Sequence, residues 1–256
     1  VCKMTIDELI DQFKRHLLDY FDKMDRAPLI NYKNKSEIVT EVDLKIDSLF
    51  NDLILINRPN DTVISEESIS QNGNSTVKWY LDPLDNTVAF ASNANNFAVS
   101  LAVKDKDEPV ASLLIEPFNH RIYETHNGIA YLNGQEIKPY QSWQSFYPVS
   151  TCVYVSEKKI EQAKRMLEIA FRNRLSLRMS GSAALDLASV ARGKSAAHVS
   201  LGAHYWDIYA GFDLLRSAGG IIEIMSENPE NKSCGFIASA NQETHEAMKS
   251  LFKDVF

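Results

Sequence analysis

W-Y-L-D-P-L-D-N-T, residues 79–87, carries two carboxylates, a proline and a hydroxyl directly after an apolar segment. Apolar side chains alternate with other residues over positions 77–81, which predicts a half-buried β-strand. We expect Pro83 to end this strand, because proline has no N–H to donate to a neighbouring strand. Asp82 and Asp85 would then leave a rigid strand on a short turn of fixed geometry.

Two carboxylates three residues apart on such a turn suit magnesium chemistry. Carboxylate oxygens are hard ligands, and a pair at this spacing can share one cation or bridge two. Asp-Pro and Asp-Asn are also ordinary turn formers, so the turn alone leaves a purely structural role open. The chemical interpretation therefore depends on other acidic residues in the chain.

Two further segments place carboxylates at the ends of predicted elements. Glu66 and Glu67 follow a short apolar run, which puts them at a strand terminus. Asp207 opens a segment that ends at Gly219 and Gly220, so we expect Asp207 to be a helix N-cap and one of these glycines to end the helix. Capping alone at Asp207 and surface charge at the two glutamates are the alternatives.

Taken in this order, the segments resemble the inositol monophosphatase family of Mg²⁺-dependent, lithium-sensitive phosphatases. Residues 65–68 are similar to the family's G-E-E-S element, residues 79–90 to its W-I-x-D-P-[IL]-D-G-T-x-N-F signature, and residues 206–211 to its W-D-x-x-A-G element. Weaker matches lie at residues 38–43, 97–102, 131–134 and 181–187. The resemblance therefore extends over nearly the whole chain.

The resemblance implies a set of metal ligands for two Mg²⁺ ions, with a third ion possible during turnover. Glu66, Asp82 and the carbonyl oxygen of Leu84 would hold the first ion, and Asp82, Asp85 and Asp207 would hold the second. Asp82 would bridge the two ions. Four carboxylates gathered in a partly desolvated site repel one another, so the site should bind cations or take up protons.

The resemblance also implies that the nucleophile is water rather than a side chain. Thr87, hydrogen-bonded to Asp43, would position the water, and Glu66 would act in catalysis beside them. The phosphate would contact the backbone amides of Asn86 and Thr87 and a helix start at Ser182 and Ala183, where free N–H groups favour an anion.

Two positions depart from the family pattern. Asn86 stands where the signature has glycine; asparagine tolerates a positive φ, but its side chain is expected to crowd the phosphate. Ser200 stands seven residues before Asp207, where inositol-hydrolysing members have a glutamate that contacts the sugar hydroxyls. Ser200 would be the substrate contact here, and inositol is in doubt as the substrate because the carboxylate acceptor is lost.

Three charged residues are expected behind the metal ligands. Glu67 follows the ligand Glu66 directly. The family has a lysine before its V-T-x-x-D element, and both Lys33 and Lys35 are candidates for it.

Periodicity and caps predict the organisation of the chain. A capping-box pattern at Thr5 to Glu8 starts a helix, a second helix is expected near Asp43 to Leu55, and strands are expected from Val99 to about Ile137. Helices alternate with strands in the remainder, and their expected N-caps are Ser156, Ser182, Asp207 and Asn241. The fold class is therefore α+β / α/β, with an N-terminal helix pair and antiparallel sheet followed by an α/β half. The resemblance implies that these stack as a layered αβαβα sandwich of the sugar-phosphatase type.

A break near residues 138–148 divides the chain into two predicted parts. Residues 1–142 would form the N-terminal α+β half with most metal ligands. Residues 143–256 would form the α/β half that contributes Asp207 and substrate contacts.

Composition excludes several classes of protein. The 256 residues include 45% hydrophobic ones, enough for a large core, and 27 Lys and Arg against 34 Asp and Glu give a net charge of −7 without a basic block. This disfavours a nucleic acid polymer as partner. Cys2, Cys152 and Cys234 are scattered and odd in number, which indicates a reducing compartment. With no long apolar run and no leader pattern, we expect a cytoplasmic protein that does not bind a membrane.

The sequence thus predicts a Mg²⁺-dependent phosphoric monoester hydrolase of the inositol-phosphate phosphatase type, acting on a small phosphorylated metabolite. Fructose-1,6-bisphosphatase-like and 3′(2′),5′-bisphosphate nucleotidase-like activities are the alternatives within this class. A catalytically weakened binding or regulatory member is the alternative from another class. A homodimer and lithium sensitivity are expected from the resemblance alone.

Overall fold

The computed structural model describes residues 4–24, 30–33, 38–68, 73–144, 146–152 and 159–256. Cys2, Lys35 and the expected cap Ser156 lie outside these residues. Within the described ranges, no helix combines the length and the apolar character needed to cross a membrane.

The N-terminal part contains two long helices and a seven-stranded sheet. The helices are α1 (Ile6–Asp22), α2 (Glu41–Asn57) and the short α3 (Thr87–Ala91). The strands are β1 (Ile30–Tyr32), β2 (Ile38–Thr40), β3 (Thr62–Ser65), β4 (Val77–Asp85), β5 (Ala98–Asp105), β6 (Glu108–Glu116), β7 (Arg121–His126), β8 (Ile129–Leu132) and β9 (Gln135–Glu136). Strands β3 to β9 form the sheet in sequence order, antiparallel except for the parallel pair β3 and β4, and β1 pairs with β2 in a separate ribbon.

The C-terminal part contains a five-stranded mixed sheet with helices on both faces. Its strands are β10 (Pro148–Cys152), β11 (Ser176–Arg178), β12 (Ala197–His204), β13 (Ile221–Asn228) and β14 (Ser233–Ser239). They lie in the order β11-β10-β12-β14-β13, with β10 parallel to both its neighbours. The helices are α4 (Ile160–Arg172), α5 (Ala183–Ala191), α6 (Tyr205–Ala218) and α7 (Gln242–Phe252).

Three apolar clusters bind these elements into layers. The first joins α1 and α2 to the seven-stranded sheet. Within it, the ring centroid of Phe50 lies 4.8 Å from that of Phe13 and 5.6 Å from that of Trp79. The second packs α5 and α6 between the two sheets, and the third packs α4 and α7 on the far face of the second sheet. Each large apolar side chain buried in this way stabilises the fold by about 1.5–3 kcal/mol. The order helix, sheet, helix, sheet, helix confirms the αβαβα sandwich.

Local capping determines where most helices begin. The Thr5 capping box is present, and Ser182 and Asn241 cap α5 and α7 through their side-chain oxygens, as predicted. The second helix begins at Glu41, earlier than expected, because the hydroxyl of Thr40 accepts the N–H groups of its first turn.

Two predictions about element ends are wrong. β4 does not end at Pro83 but continues to Asp85, because a bulge absorbs the proline within the ladder to β5. Asp207 is not the N-cap of α6; His204 occupies that position and Asp207 lies in the first turn of the helix. The predicted end of this helix is confirmed, since Gly219 follows it with a φ of 99°.

Candidate active site

The predicted acidic residues converge on one open cavity of about 180 Å³. It is lined by Glu66, which follows β3, by Asp82 and Asp85 of β4, and by Asp207 of α6. The layers explain this convergence, because the edge of the first sheet meets the start of α6 where the two halves of the chain pack together. Leu84, Asn86 and Thr87 complete the predicted part of the lining.

The bulge in β4 places two carboxylates at the cavity. Asp82 pairs with Ser100 and Asp85 with Ala98, so β4 has one more residue than β5 between these pairs. The extra residue bends the strand and lets side chains three apart point to the same side. The N–H of Leu84 donates to Asp82 Oδ1 at 2.9 Å and fixes that carboxylate.

Asp82 is the central carboxylate of the group. It is 2% exposed, and its side chain is within hydrogen-bonding reach of both Glu66 and Asp207. Two carboxylates can share such a bond only when one carries a proton. Burial, reinforced by the charges of Glu66, Asp85 and Asp207, raises the pKa of Asp82 well above its usual range.

The neighbouring aspartates respond in the same way. Burial and the charge of Asp85 raise the pKa of Asp207 well above its usual value. Burial also raises the pKa of Asp85 to about 7, although hydrogen bonds to that carboxylate oppose the shift. Such a site stabilises its charged form by binding cations and otherwise retains protons.

Asp207 is held by the start of α6. Its Oδ2 accepts the N–H of His204 at 3.1 Å, which closes a capping box between the two residues. The carboxyl group of Asp207 thus lies near the positive end of the helix dipole, which favours its charged form.

Asp85 is anchored by α5, and this differs from the prediction for the start of that helix. The Ser182 hydroxyl donates to Asp85 Oδ2 at 2.6 Å, and the Ala184 N–H donates to the same oxygen at 2.8 Å. The backbone of Ala183 adds a further hydrogen bond. Ser182 is completely buried, so these groups bind the carboxylate of Asp85 where a phosphate contact was expected.

The hydrogen bond expected between Thr87 and Asp43 is present. The Thr87 hydroxyl lies 3.2 Å from Asp43 Oδ1 and 3.1 Å from the Leu84 carbonyl, and it can donate to one of them at a time. Asp43 is fully buried, and its other oxygen accepts the Thr40 N–H at 2.8 Å. Burial raises the pKa of Asp43.

Lys33 pairs with both glutamates behind the cavity. Its Nζ lies 2.8 Å from Glu66 and 2.6 Å from Glu67. Burial lowers the pKa of Lys33, but the two carboxylates outweigh it and the net pKa is raised. Burial raises the pKa of Glu67 to about 7 in spite of this lysine. Lys33, one of the two candidates for the family's lysine, therefore lies beside both glutamates.

Asn86 adopts the backbone conformation that glycine would favour. Its φ is 79°, and its side-chain amide donates to the carbonyls of Asn96 at 2.9 Å and Ser180 at 3.1 Å. A Cβ on Gly181 would lie 2.8 Å from the Asn86 amide nitrogen. The amide thus joins two loops at the rim of the cavity, and the glycine leaves room for it.

Ser200 does not line the cavity. It is fully buried in β12, and its hydroxyl accepts the Gly202 N–H at 3.3 Å. The predicted substrate contact at Ser200 is therefore wrong, because Ser200 lies in a central strand between Cys152 of β10 and Phe236 of β14.

Three lining residues were missed by sequence reasoning about the site. Ile38, Val88 and Gly181 all face the cavity. All three lie in segments that match the family pattern: Ile38 begins residues 38–43, Val88 lies within residues 79–90, and Gly181, with a φ of 89°, begins residues 181–187.

The comparisons with known proteins agree on one family. The model of the inositol monophosphatase family matches residues 6–255. The chain is 30% identical to Nus factor SuhB of Escherichia coli K12 over 227 residues, covering 87% of this chain and 85% of that protein. It is 29% identical to a fructose-1,6-bisphosphatase/inositol-1-monophosphatase of Aquifex aeolicus over 201 residues, covering 77% and 76%.

A solved structure shows the same fold. An inositol monophosphatase/NADP phosphatase complexed with Mg²⁺ and phosphate superposes with a TM-score of 0.81 at 21% identity, over 96% of this chain and 94% of that one.

Proposed function

The chain belongs to the inositol monophosphatase family, and from this we propose that it is a Mg²⁺-dependent phosphomonoesterase acting on a small phosphorylated metabolite. The observation that carries the proposal is the convergence of four carboxylates from three separate segments on one open cavity. A related fold that holds Mg²⁺ and phosphate supports the same chemistry.

The residues at the cavity fit magnesium. Every predicted ligand offers an oxygen atom, and hard oxygen donors are what Mg²⁺ prefers. Burial and the neighbouring carboxylates raise the pKa values of Asp82 and Asp207, so a bound cation would favour their charged forms. In our proposal, Mg²⁺ is held by the carboxylates of Glu66, Asp82, Asp85 and Asp207 and by the Leu84 carbonyl. When bound, it supplies positive charge against the phosphate and makes water more acidic.

The protein's own groups orient the reaction. With its proton directed to Asp43, the Thr87 hydroxyl can accept a hydrogen bond from water and aim the oxygen of that water at phosphorus. The water oxygen bonds to phosphorus as the ester bond breaks; one proton of that water ends on the leaving alcohol and the other stays with the inorganic phosphate. Lys33 holds Glu66 in position from behind.

The substrate is proposed only as a class: a small phosphorylated polyol, sugar or nucleotide. Because Ser200 is enclosed in β12, it offers no contact to a sugar hydroxyl. The side-chain amide of Asn86 already donates hydrogen bonds to two backbone carbonyls. It therefore occupies space at the rim of the cavity without adding a charge there. Both observations favour recognition of the phosphate over recognition of inositol.

A second candidate is a binding role with little or no hydrolysis. It is favoured by the similarity to proteins named Nus factor SuhB, a name that states no phosphatase activity.

A phosphate-release assay separates the two candidates. The purified chain is incubated with a panel of inositol, sugar and nucleotide phosphates, with millimolar Mg²⁺ or with EDTA. We expect release from at least one substrate that requires Mg²⁺ and is abolished in Asp82→Asn.

The matched control is Asp52→Asn, which removes an exposed carboxylate from α2. It should retain full activity. Absence of Mg²⁺-dependent release across the panel would overturn the enzymatic proposal and favour the binding role.

A further inference from the structure

Three side chains that the proposed reaction does not use meet between α5 and the second sheet: Cys152, Asp186 and His198. One ligand-capable atom from each lies within 4.8 Å of those of the other two. Cys152 ends β10, His198 is in β12, and Asp186 is in the first turn of α5. The group thus joins three separate elements.

The strand register explains how they meet. β10 and β12 are parallel, with Ser150 opposite His198 and Cys152 opposite Ser200. Residues two apart on a strand share a face, so Cys152 and His198 lie on the same face of the sheet. α5 packs against these two strands and brings Asp186 to them.

Two polar atoms of this group lack partners. His198 is fully buried and Asp186 is 5% exposed, yet neither His198 Nε2 nor Asp186 Oδ2 has a hydrogen bond within the described part of the chain. The other ring nitrogen, His198 Nδ1, has a partner: it lies 2.9 Å from the Ser150 hydroxyl, while Asp186 Oδ2 lies 3.6 Å from that nitrogen, beyond an ordinary hydrogen bond. Buried polar atoms without partners are uncommon and point to a missing group.

We propose that Cys152, Asp186 and His198 form a binding site for a transition metal of the zinc class. A thiolate, a carboxylate and a neutral imidazole together carry two negative charges, which balance one divalent cation in a buried site. In a tetrahedral zinc site neighbouring N and O ligands are roughly 3.4 Å apart, and the ligand atoms of these three side chains lie within 4.8 Å of one another. The thiolate excludes Mg²⁺, which prefers oxygen.

The pKa values of Cys152 and His198 are consistent with a site whose thiol is protonated until a metal ion binds. Burial raises the pKa of the Cys152 thiol, so the thiol keeps its proton until a cation displaces it. Burial lowers the pKa of His198 to about 3, which leaves the imidazole in its neutral, metal-binding form. Three protein ligands leave one tetrahedral position for water.

Cobalt spectroscopy tests the site in the full chain. The metal-free protein is titrated with Co²⁺ in excess Mg²⁺, which occupies the oxygen-only site of the cavity. We expect a thiolate-to-cobalt charge-transfer band in the near ultraviolet that saturates at one Co²⁺ per chain and is displaced by Zn²⁺.

The cysteine controls make the result specific. Cys152→Ser should lose the band, and Cys234→Ser, which removes the other described thiol, should keep it. Cys2 is retained in both variants. No band in the wild type, or a band that persists in folded Cys152→Ser, would overturn the proposal.

A second measurement rests mainly on the wild-type protein, with one variant as its control. Wild-type protein is alkylated with and without Zn²⁺, and each cysteine is mapped by peptide mass. Zn²⁺ should slow alkylation of Cys152 at least tenfold, while Asp186→Asn should lose this protection. Equal rates with and without Zn²⁺ in the wild type would contradict the site.

Discussion

Two opposing effects act on Asp85: burial disfavours its charge, and hydrogen bonds from α5 hold its carboxylate in place. Its carboxylate is 7% exposed, yet it accepts hydrogen bonds from Ser182 and Ala184 that hold it toward the cavity. Burial favours its protonated form, and the bonds from α5 favour the charged form. The residue is therefore ready to exchange a proton for a cation.

Asp85→Asn tests this directly. The amide keeps the shape but loses the charge, so we expect the activity found in the panel to fall by about 100-fold or more, as for loss of a key electrostatic group. The measurement is kcat/KM at saturating Mg²⁺, with Asp52→Asn as the surface control. Activity equal to that of the control would show that Asp85 is not a metal ligand.

Thr87 permits a sharper comparison because two substitutions separate its hydroxyl from its shape. Thr87→Val removes the bond to Asp43 at nearly constant volume and should reduce kcat by about 100-fold, in the range for lost positioning of a reacting proton. Thr87→Ser keeps the hydroxyl and should retain most activity.

In both Thr87 variants the Mg²⁺ concentration for half-maximal activity should stay unchanged, because the hydroxyl is not a predicted ligand. A large rise in that concentration would assign Thr87 to metal binding instead.

At the scale of elements, α5 links stability to metal binding through its N-cap. The Ser182 oxygen accepts the Leu185 N–H at 3.1 Å and its hydroxyl donates to Asp85. Ser182→Ala should cost about 2 kcal/mol of unfolding free energy, from the lost cap and the lost bond to a carboxylate. It should also raise the Mg²⁺ requirement several-fold.

Asn241→Ala is the matched control for the cap of α5. It removes the N-cap of α7, whose oxygen accepts the Thr244 N–H at 2.9 Å, far from the cavity. We expect a loss of stability measured by urea unfolding but no change in the Mg²⁺ requirement. If both variants shift the Mg²⁺ requirement equally, the shift comes from a general loss of stability and not from the lost hydrogen bond between Ser182 and Asp85.

The elements also show what a sequence can predict. The caps at Thr5, Ser182 and Asn241 were predicted correctly because a cap depends on residues within one turn. The strand end predicted at Pro83 is wrong because pairing with β5 continues β4 to Asp85. The N-cap predicted at Asp207 is wrong because His204 takes that position.

Tertiary contacts explain the rest of what was missed at the site. The motifs predicted which carboxylates would share a cavity, since each motif is local and their order resembles a family. The binding of Asp85 by α5 and the meeting of Cys152, Asp186 and His198 depend on residues far apart in the chain. No periodicity in the sequence encodes such contacts.

At the scale of the whole molecule, we expect two copies of the chain to associate. The homodimer implied by the resemblance predicts a solution mass of twice the 28.9 kDa of one chain. Light scattering coupled to size exclusion measures this mass directly, and a single-chain mass at micromolar concentration would contradict the prediction.

The shared site also makes the stability of the metal-free molecule depend on pH. The pKa of Asp85 is ordinarily 3.8 and rises to about 7 in the folded protein, and the pKa values of Asp82 and Asp207 are raised as well. Between these values the folded state binds more protons than the unfolded state, so the unfolding free energy falls as pH rises. In EDTA we expect the melting temperature to decrease from about pH 4 to about pH 7 through these groups.

Magnesium should reverse this trend, because bound cations replace the protons and stabilise the charged carboxylates in the folded state alone. The increase in melting temperature on adding Mg²⁺ should therefore be larger at neutral pH than at acidic pH. Asp85→Asn, which cannot ionise at this position, should show a shallower decline in EDTA and a smaller Mg²⁺ effect. A melting temperature that rises steadily with pH in EDTA, and equally in the variant, would show that these carboxylates do not control the stability of the metal-free fold.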